Sequence, residues 1–313
     1  MAVQTIGLIG ATGMTGSYVD LEILKQGHKV IGISRNPDKL GQHENYTTRS
    51  IDLTKASIPE VADALKSVDA VISAYGPHSQ LGKAVGYSRA FVESTRTVLI
   101  ATQAARVPYF FMVGGAGSML VPDKPFVTAA DDPRFFHAYV RDAIASEAYV
   151  DHAQKWAGED AIHLKKAREA LLAEEAGTGT PETRRLLKAV HENMFHMDGQ
   201  VVDFMTGARA TSMFFEGNNS IKWTYMSPPP LYRPGRRTGS YEIAVDVMPL
   251  KQAGPHNKGD AIFDGRLHGI TLPGIAIAIA DEVETKEKVG KHWTPYVPDI
   301  DNTLGPVYAR IGD

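Results

Sequence analysis

The chain has 313 residues, of which 43% are hydrophobic, enough to bury the core of one large domain or of a domain with a smaller companion. Its formal net charge of −3 and the lack of any basic block argue against a nucleic-acid partner. With no cysteine it has neither disulfides nor thiolate metal ligands, and no apolar run reaches the roughly 18 residues that span a membrane.

No charged segment precedes an apolar core at the N-terminus, as a secretory signal would require. We therefore expect a soluble, cytoplasmic protein that acts on a small molecule, with neither a membrane nor a nucleic-acid partner.

The first thirty-five residues predict a strand, a glycine-rich turn, a helix and a second strand. Gly10 supplies backbone angles that a side chain would penalise, Gly13 lets the main chain approach a ligand, and Gly16 lets the helix pack on the strand. The amides of the helix's first turn and the helix dipole attract phosphate. The predicted ligand contacts in this turn are Gly10, Thr12, Gly13, Met14 and Gly16.

The turn has the sequence Gly-Ala-Thr-Gly-Met-Thr-Gly, with three glycines at intervals of three. This motif resembles the atypical short-chain dehydrogenases/reductases, specifically their NAD(P)H-binding, NmrA-like branch. The resemblance implies that the phosphate belongs to a dinucleotide cofactor.

The end of the second strand indicates which dinucleotide binds. An acidic residue there would pair with the ribose hydroxyls of NAD, whereas a cation would pair with the 2′-phosphate of NADP. The sequence places Ser34 and Arg35 there, with no carboxylate before Asp38. Because a guanidinium can bond a phosphate through two N–H groups, we expect NADP (NADPH), held by Arg35 with Ser34 beside it.

Strands and helices alternate through residue 118, which predicts an α/β fold with a doubly wound parallel sheet, the Rossmann fold. Ligands of such sheets bind at the carboxyl ends of the strands. Further cofactor contacts are therefore expected at Asp52, Leu53, Ala74, Tyr75, Gly76, Val113 and Gly114. The resemblance implies that Asp52 and Leu53 lie beside the adenine ring, although Asp52 is equally suited to cap the next helix.

The proton relay of typical short-chain dehydrogenases is absent. In those enzymes a Lys lies four residues after a Tyr and lowers its pKa, and a Ser or Thr ends the fifth strand. None of the twelve tyrosines here has a lysine four residues on, and Gly114 and Gly115 follow the fifth predicted strand. The atypical branch commonly has the run seen here from Val113 to Ser118. The absence of the proton relay therefore supports the resemblance to that branch.

A replacement acid is predicted on the next helix, which begins at Pro133 after two aspartates. We predict that Tyr139 is the hydrogen-bonding acid, with His137 or Ser118 as alternatives. Val140 follows Tyr139 where relatives often have a lysine, so no neighbouring cation lowers the phenol pKa. The competing interpretation makes Tyr139 a pocket wall and His137 a surface residue.

Residues 145–199 form a predicted helical insertion, rich in Ala, Glu, Lys and Leu and broken once at 176–181. It follows the carboxyl end of the fifth strand, so it could cover the nicotinamide as a lid or form a homodimer interface. His191 and His196 are five residues apart, and metal ligands on one helix face need four, so we predict no metal site.

A second motif lies in residues 223–239, where Trp-Thr-Tyr-Met-Ser-Pro precedes Pro-Gly-Arg-Arg-Thr-Gly. Both segments resemble the same branch. The resemblance implies that this turn touches the nicotinamide end, with Pro228 on the cofactor and Ser227, Pro229 and Tyr232 on the substrate. We expect one domain over 1–313, in which 227–313 is a small, partly substrate-capping region.

These features predict an NADPH-dependent reductase of a small-molecule carbonyl, enone or quinone-like substrate, with the hydride chemistry supplied by the nicotinamide. Two alternatives remain open. One is an NADP-binding regulatory or redox-sensing protein without turnover, and the other is a cofactor-assisted isomerase or dehydratase.

Overall fold

The computed structural model describes residues 2–76, 87–157, 162–196, 200–300 and 302–312. Its strands are β1 (Thr5–Ile9), β2 (Lys29–Ser34), β3 (Tyr46–Ser50), β4 (Ala70–Ser73), β5 (Tyr109–Val113), β6 (Lys222–Met226), β7 (Leu231–Arg233), β8 (Glu242–Val245), β9 (Gly269–Thr271) and β10 (His292–Tyr296). Eight of them form one sheet in the order β3-β2-β1-β4-β5-β6-β10-β8, in which only β8 is antiparallel to its neighbour. Strands β7 and β9 pair separately, in parallel.

Helices connect the strands on both faces of the sheet. They are α1 (Met14–Lys25), α2 (Ile58–Ala64), α3 (Tyr87–Ala104), α4 (Pro133–Ala145), α5 (Glu147–Ala157), α6 (Ile162–Glu175), α7 (Pro181–His196), α8 (Gln200–Ser212) and α9 (Leu272–Thr285). The predicted α/β fold with a doubly wound, mostly parallel sheet is confirmed. None of the helices in the described ranges has the length and apolar character required to cross a lipid bilayer.

Two hydrophobic cores cover the two faces of the sheet. On one face Ile6 and Leu8 of β1 pack with α1 and α9, and on the other Ile9 and Phe110 pack with α2, α3 and α8. Each buried side chain of this size contributes about 1.5–3 kcal/mol relative to an exposed one. The strands are thereby held rigidly, and with them the loops that leave their carboxyl ends.

Helix α4 begins where its sequence signals predict. Asp132 caps it by accepting the backbone N–H of Arg134 at 3.1 Å, and Pro133 occupies the first turn, where no N–H partner is needed. Helices α5, α6 and α7 follow within the predicted insertion. Val140 and Ile144 of α4 pack against Ala167 and Val190 of the insertion, so its helices are stacked on α4 by a small apolar core.

Candidate functional site

A cleft of about 850 Å³ follows the carboxyl ends of the parallel strands. It lies where β1 has β2 on one side and β4 on the other, so the chain leaves these strands in opposite directions and opens a crevice between the loops. The predicted cofactor residues that line it are Gly10, Thr12, Gly13, Met14, Ser34, Arg35, Asp52, Leu53, Ala74, Tyr75, Gly76, Val113, Gly114 and Pro228.

The glycine turn has the close-packed geometry that its three glycines require. Gly10 has φ of +82°, and a Cβ there would lie 2.9 Å from the backbone of Ala74 and Tyr75. A Cβ on Gly16 would collide with the carbonyl oxygen of Gly10, so Gly16 packs beneath the turn and does not line the cleft. The Gly13 amide is bonded to the Gly10 carbonyl, and the first bond within α1 runs from the Ser17 amide to the Gly13 carbonyl, so the amides of Met14, Thr15 and Gly16 have no acceptor within the helix.

The opposite wall of this part of the cleft comes from the loops after β2 and β3. Ser34 Oγ lies 3.0 Å from Thr12 Oγ1, and Arg35 is exposed beside them. Asp52 lines the cleft, but its Oδ1 also accepts the hydroxyl of Thr54 at 2.7 Å and the Thr54 amide at 3.1 Å. These hydrogen bonds lower the pKa of Asp52. The carboxylate therefore stabilises a local turn while it faces the cleft.

Several cleft residues have no signal in the sequence. Asn36 and Lys39 extend the wall beyond Arg35, and Met205 and Ala208 reach it from α8. Tyr308, Ala309 and Arg310 also line it, from the far end of the chain. The local sequence around Asn36 and Lys39 identifies only a polar turn. Nothing in the sequence places residues 308–310 near the N-terminal glycine turn.

The far end of the cleft is formed by the loops after β5 and β6. Gly114 donates its N–H to the Met226 carbonyl at 2.7 Å, and a Cβ on Gly114 would collide with the ring of Tyr225. Packing against this ring therefore accounts for a glycine where typical dehydrogenases have a hydroxyl. The predicted substrate contacts Pro229 and Tyr232 also line this end.

Tyr139 of α4 faces the same end of the cleft and is half-buried. Its hydroxyl is hydrogen-bonded to the hydroxyl of Tyr149 on α5, and the two rings meet edge to face. Burial raises the pKa of Tyr139, while the hydrogen bond with Tyr149 lowers it in part. Both phenols are thus neutral at physiological pH. Tyr149 is a further residue that no spacing in the sequence reveals.

The predicted residues Ser118 and Ser227 are buried behind the cleft wall in a hydrogen-bonded cluster with His292. Ser118 Oγ donates to the Gly115 carbonyl at 2.7 Å and lies 2.8 Å from Ser227 Oγ, which is 2.7 Å from His292 Nε2. Each hydroxyl has one proton, so Ser227 donates to Ser118, and His292 donates to Ser227. Burial lowers the pKa of His292 to about 4, which fits a neutral ring.

This cluster ends on the carbonyl of Gly115, which lines the cleft. Its chemistry is that of a neutral hydrogen-bond chain that fixes a loop. Ser118 and Ser227 therefore lie outside the cleft lining, although both are next to residues that form it. His137, the other alternative acid, is on the exposed side of α4 and is not among the lining residues.

The insertion 145–199 supplies none of the cleft-lining residues within the described part of the chain. It contacts the site through α4, on which its helices pack, and through the Tyr149 hydroxyl. The side chains of His191 and His196 lie outside the described part, so the prediction about them stays a prediction.

The residues of the cleft fit a dinucleotide. A close-packed glycine turn, first-turn amides and flanking cations suit the phosphates, and the apolar wall at Val113 and Pro228 suits a flat ring. The cleft is also long enough to join the exposed Arg35 at one end to Tyr139 at the other.

Comparisons with known proteins agree with this geometry. Residues 10–155 match the family model described as NAD(P)H-binding. Over 290 residues the chain is 25% identical to the uncharacterized protein YwnB of Bacillus subtilis, a match covering 92% of this chain and 96% of YwnB.

Two solved structures show the same fold. One is a candidate epimerase of Bacteroides thetaiotaomicron, with 22% identity, a TM-score of 0.63 and coverage of 96% of this chain and 100% of that one. The other is a candidate NADH-flavin reductase of Streptococcus pneumoniae, with 17% identity, a TM-score of 0.56 and coverage of 94% and 99%. These two structures show the fold, and the family match supports a nicotinamide cofactor bound by the domain over residues 10–155.

Proposed function

We propose that the protein is an NADPH-dependent reductase, on the basis of its cleft and of the NAD(P)H-binding family model that residues 10–155 match. Its substrate is a small carbonyl, enone or quinone-like molecule. The observation that carries the proposal is the single cleft that leads from Arg35, past the glycine turn, to the paired phenols of Tyr139 and Tyr149.

The preference for NADPH rests on charge at the end of β2. Arg35 and Lys39 line the cleft there, and Asp52, the one carboxylate among the described lining residues, accepts two hydrogen bonds from Thr54 through its Oδ1. An exposed guanidinium suits a phosphate. These features favour the 2′-phosphate of NADPH over the bare ribose of NADH.

At the other end, a nicotinamide held beside Val113 and Pro228 would supply the hydride for the electrophilic carbon of the substrate. Tyr139 then donates the proton that neutralises the developing negative charge on oxygen. Tyr149 donates a hydrogen bond to the Tyr139 oxygen and so stabilises the charge that Tyr139 acquires. This second phenol takes part of the role that a lysine has in typical members, without supplying a positive charge.

The remaining residues hold the reacting groups in place. Pro229, Tyr232 and Met205 give the substrate end an apolar lining that excludes water, which strengthens the hydrogen bond from Tyr139. The cluster of Ser118, Ser227 and His292 fixes the Gly115 carbonyl in the cleft wall. It therefore orients the cofactor site and donates no proton to the substrate.

The test is oxidation of NADPH, followed at its absorbance, with a panel of quinones, enones and small ketones. We expect turnover with at least one class of acceptor and a slower rate with NADH. Tight NADPH binding with no turnover against any acceptor would instead favour a sensing protein. Conversion of an acceptor with no net loss of NADPH would favour an isomerase or dehydratase.

A further inference from the structure

The last described segment, residues 302–312, borders the cleft and lines it with Tyr308, Ala309 and Arg310. It is fixed at three points along its length. The Tyr18 hydroxyl donates to the Pro306 carbonyl at 2.6 Å, the Ala309 amide donates to Ser17 Oγ at 3.1 Å, and the Ile311 amide donates to the Leu40 carbonyl at 2.7 Å.

The packing of this segment separates its inner and outer residues. Val307 and Ala309 are buried, and Ile311 packs on the core and against Gly41. Tyr308 and Arg310 are exposed and both line the cleft. The segment is thus held by its backbone and its small apolar side chains, and it presents Tyr308 and Arg310 to the cleft.

The anchor points place Arg310 at the adenosine end. Ile311 is bonded to Leu40, the last residue of the short 3₁₀ turn Pro37–Leu40, and that turn begins two residues after Arg35. Arg35, Lys39 and Arg310 line the same cleft, and Ser17 anchors the segment to the first turns of α1. Cations from two distant parts of the chain are therefore brought together.

We infer that residues 302–312 form a fixed strap over the adenosine end, and that Arg310 is a second ligand of the NADPH 2′-phosphate. The inference rests on the proposed preference for NADPH. A phosphate monoester carries more than one negative charge near neutral pH, so a single arginine leaves part of that charge and several acceptor atoms without a protein partner. A second guanidinium from the strap supplies both.

The test uses the full-length chain with Arg310→Ala, and with Arg185→Ala as the control that removes one exposed charge from α7. Binding of NADPH and of NADH is titrated by nicotinamide fluorescence. We expect Arg310→Ala to weaken NADPH binding roughly tenfold and NADH binding less than twofold. Arg310→Lys retains part of the affinity, and Arg185→Ala changes neither cofactor.

The role of Arg310 is overturned if Arg310→Ala weakens binding of the two cofactors equally. It is also overturned if NADPH affinity is unchanged in a variant that unfolds thermally like the parent. If the parent prefers NADPH and Arg35→Ala abolishes the preference while Arg310→Ala does not, only this inference fails. If the parent does not prefer NADPH, both the proposed cofactor preference and the role of Arg310 fail.

Discussion

Arg35 is the side chain on which the cofactor preference depends. Replacing it with alanine removes a charge-assisted hydrogen-bond donor at the end of β2 and leaves the glycine turn unchanged. We predict that Arg35→Ala weakens NADPH binding roughly 10- to 100-fold and NADH binding less than threefold. Fluorescence titration of both cofactors measures this ratio, and equal losses for the two would refute the assigned preference.

Tyr139 is the proposed proton donor, and its partner Tyr149 is within hydrogen-bond contact. A positioned general acid typically contributes 10²–10⁴-fold to a rate, so Tyr139→Phe is expected to lower kcat by roughly 10²-fold or more. Affinity for NADPH is expected to stay unchanged. Tyr149→Phe lowers kcat less, because it removes only the support of that acid.

The control for the two phenols is Tyr241→Phe. The Tyr241 hydroxyl donates to Asp281 Oδ2 at 2.8 Å and is not among the cleft-lining residues, so its loss is expected to leave kcat unchanged. Steady-state rates with the best acceptor provide the measurement. A Tyr139→Phe variant with kcat within twofold of the parent would exclude the phenol as the acid.

The glycine turn and the first turn of α1 act as one element, which holds the pyrophosphate common to both cofactors. A Cβ on Gly16 collides with the Gly10 carbonyl, so Gly16→Ala moves α1 away from β1 and costs about 1–3 kcal/mol of stability. We predict at least tenfold weaker binding of NADPH and NADH alike.

The matched control is Gly239→Ala, where an added Cβ meets nothing within 4 Å. Titration of both cofactors and thermal unfolding give the two readouts. Selective loss of NADPH in Gly16→Ala would show that the turn discriminates between the cofactors, contrary to the role assigned to it.

The cluster behind the cleft links β10 to the loops after β5 and β6, and its histidine makes stability depend on pH. His292 has a pKa of about 4, against an ordinary value near 6.5. Between these values the unfolded chain binds a proton and the folded chain does not, so the free energy of unfolding falls as pH falls. The loss amounts to roughly 3 kcal/mol.

His292→Asn is expected to reduce this acid dependence, because asparagine does not titrate in the window. Part of the dependence remains in the variant, because burial also lowers the pKa of His152 to about 4 and lowers the pKa of His268. Urea unfolding of both proteins at several pH values from 4 to 7 gives the slopes. Identical slopes would mean that His292 has the same pKa in the folded and unfolded chains, contrary to a buried neutral ring.

Burial of an acid predicts the opposite dependence at higher pH. Asp20 of α1 is fully buried, and neither carboxylate oxygen has a hydrogen-bond partner within the described residues. Burial raises its pKa, so above the ordinary value near 3.8 the unfolded chain loses a proton that the folded chain keeps. The free energy of unfolding therefore falls as pH rises, by at most about 1.4 kcal/mol per pH unit.

Asp20→Asn removes this dependence while it keeps the shape of the side chain. We expect the variant to lose less stability than the parent between pH 5 and pH 8, by urea unfolding in matched buffers. A steeper decline in Asp20→Asn than in the parent would contradict a buried neutral carboxyl.

For the molecule as a whole, the sequence predicts what depends on local pattern. Strand, turn and helix follow from the spacing of Gly10, Gly13 and Gly16 and from apolar runs, and the start of α4 follows from its caps. The adenosine side of the cleft was also predictable in part, because Arg35 directly follows β2. These features depend on neighbours within a few residues.

What could not be predicted depends on packing between distant parts of the chain. Tyr149 meets Tyr139 only because the insertion folds back on α4, and Arg310 reaches the cleft because Ile311 is bonded to Leu40. Ser118 is in the predicted neighbourhood, but hydrogen bonds from β6 and β10 hold it behind the wall. No spacing in the sequence encodes such contacts.

Transfer of deuterium from C4-labelled NADPH to an enone or ketone acceptor tests the proposed reductase activity most directly. With the label on each face of the nicotinamide in turn, we predict one carbon-bound deuterium per product molecule from one face only, and NADP formed in equal amount. Product without deuterium from either labelled face, or product formed with no NADP, would contradict a reductase.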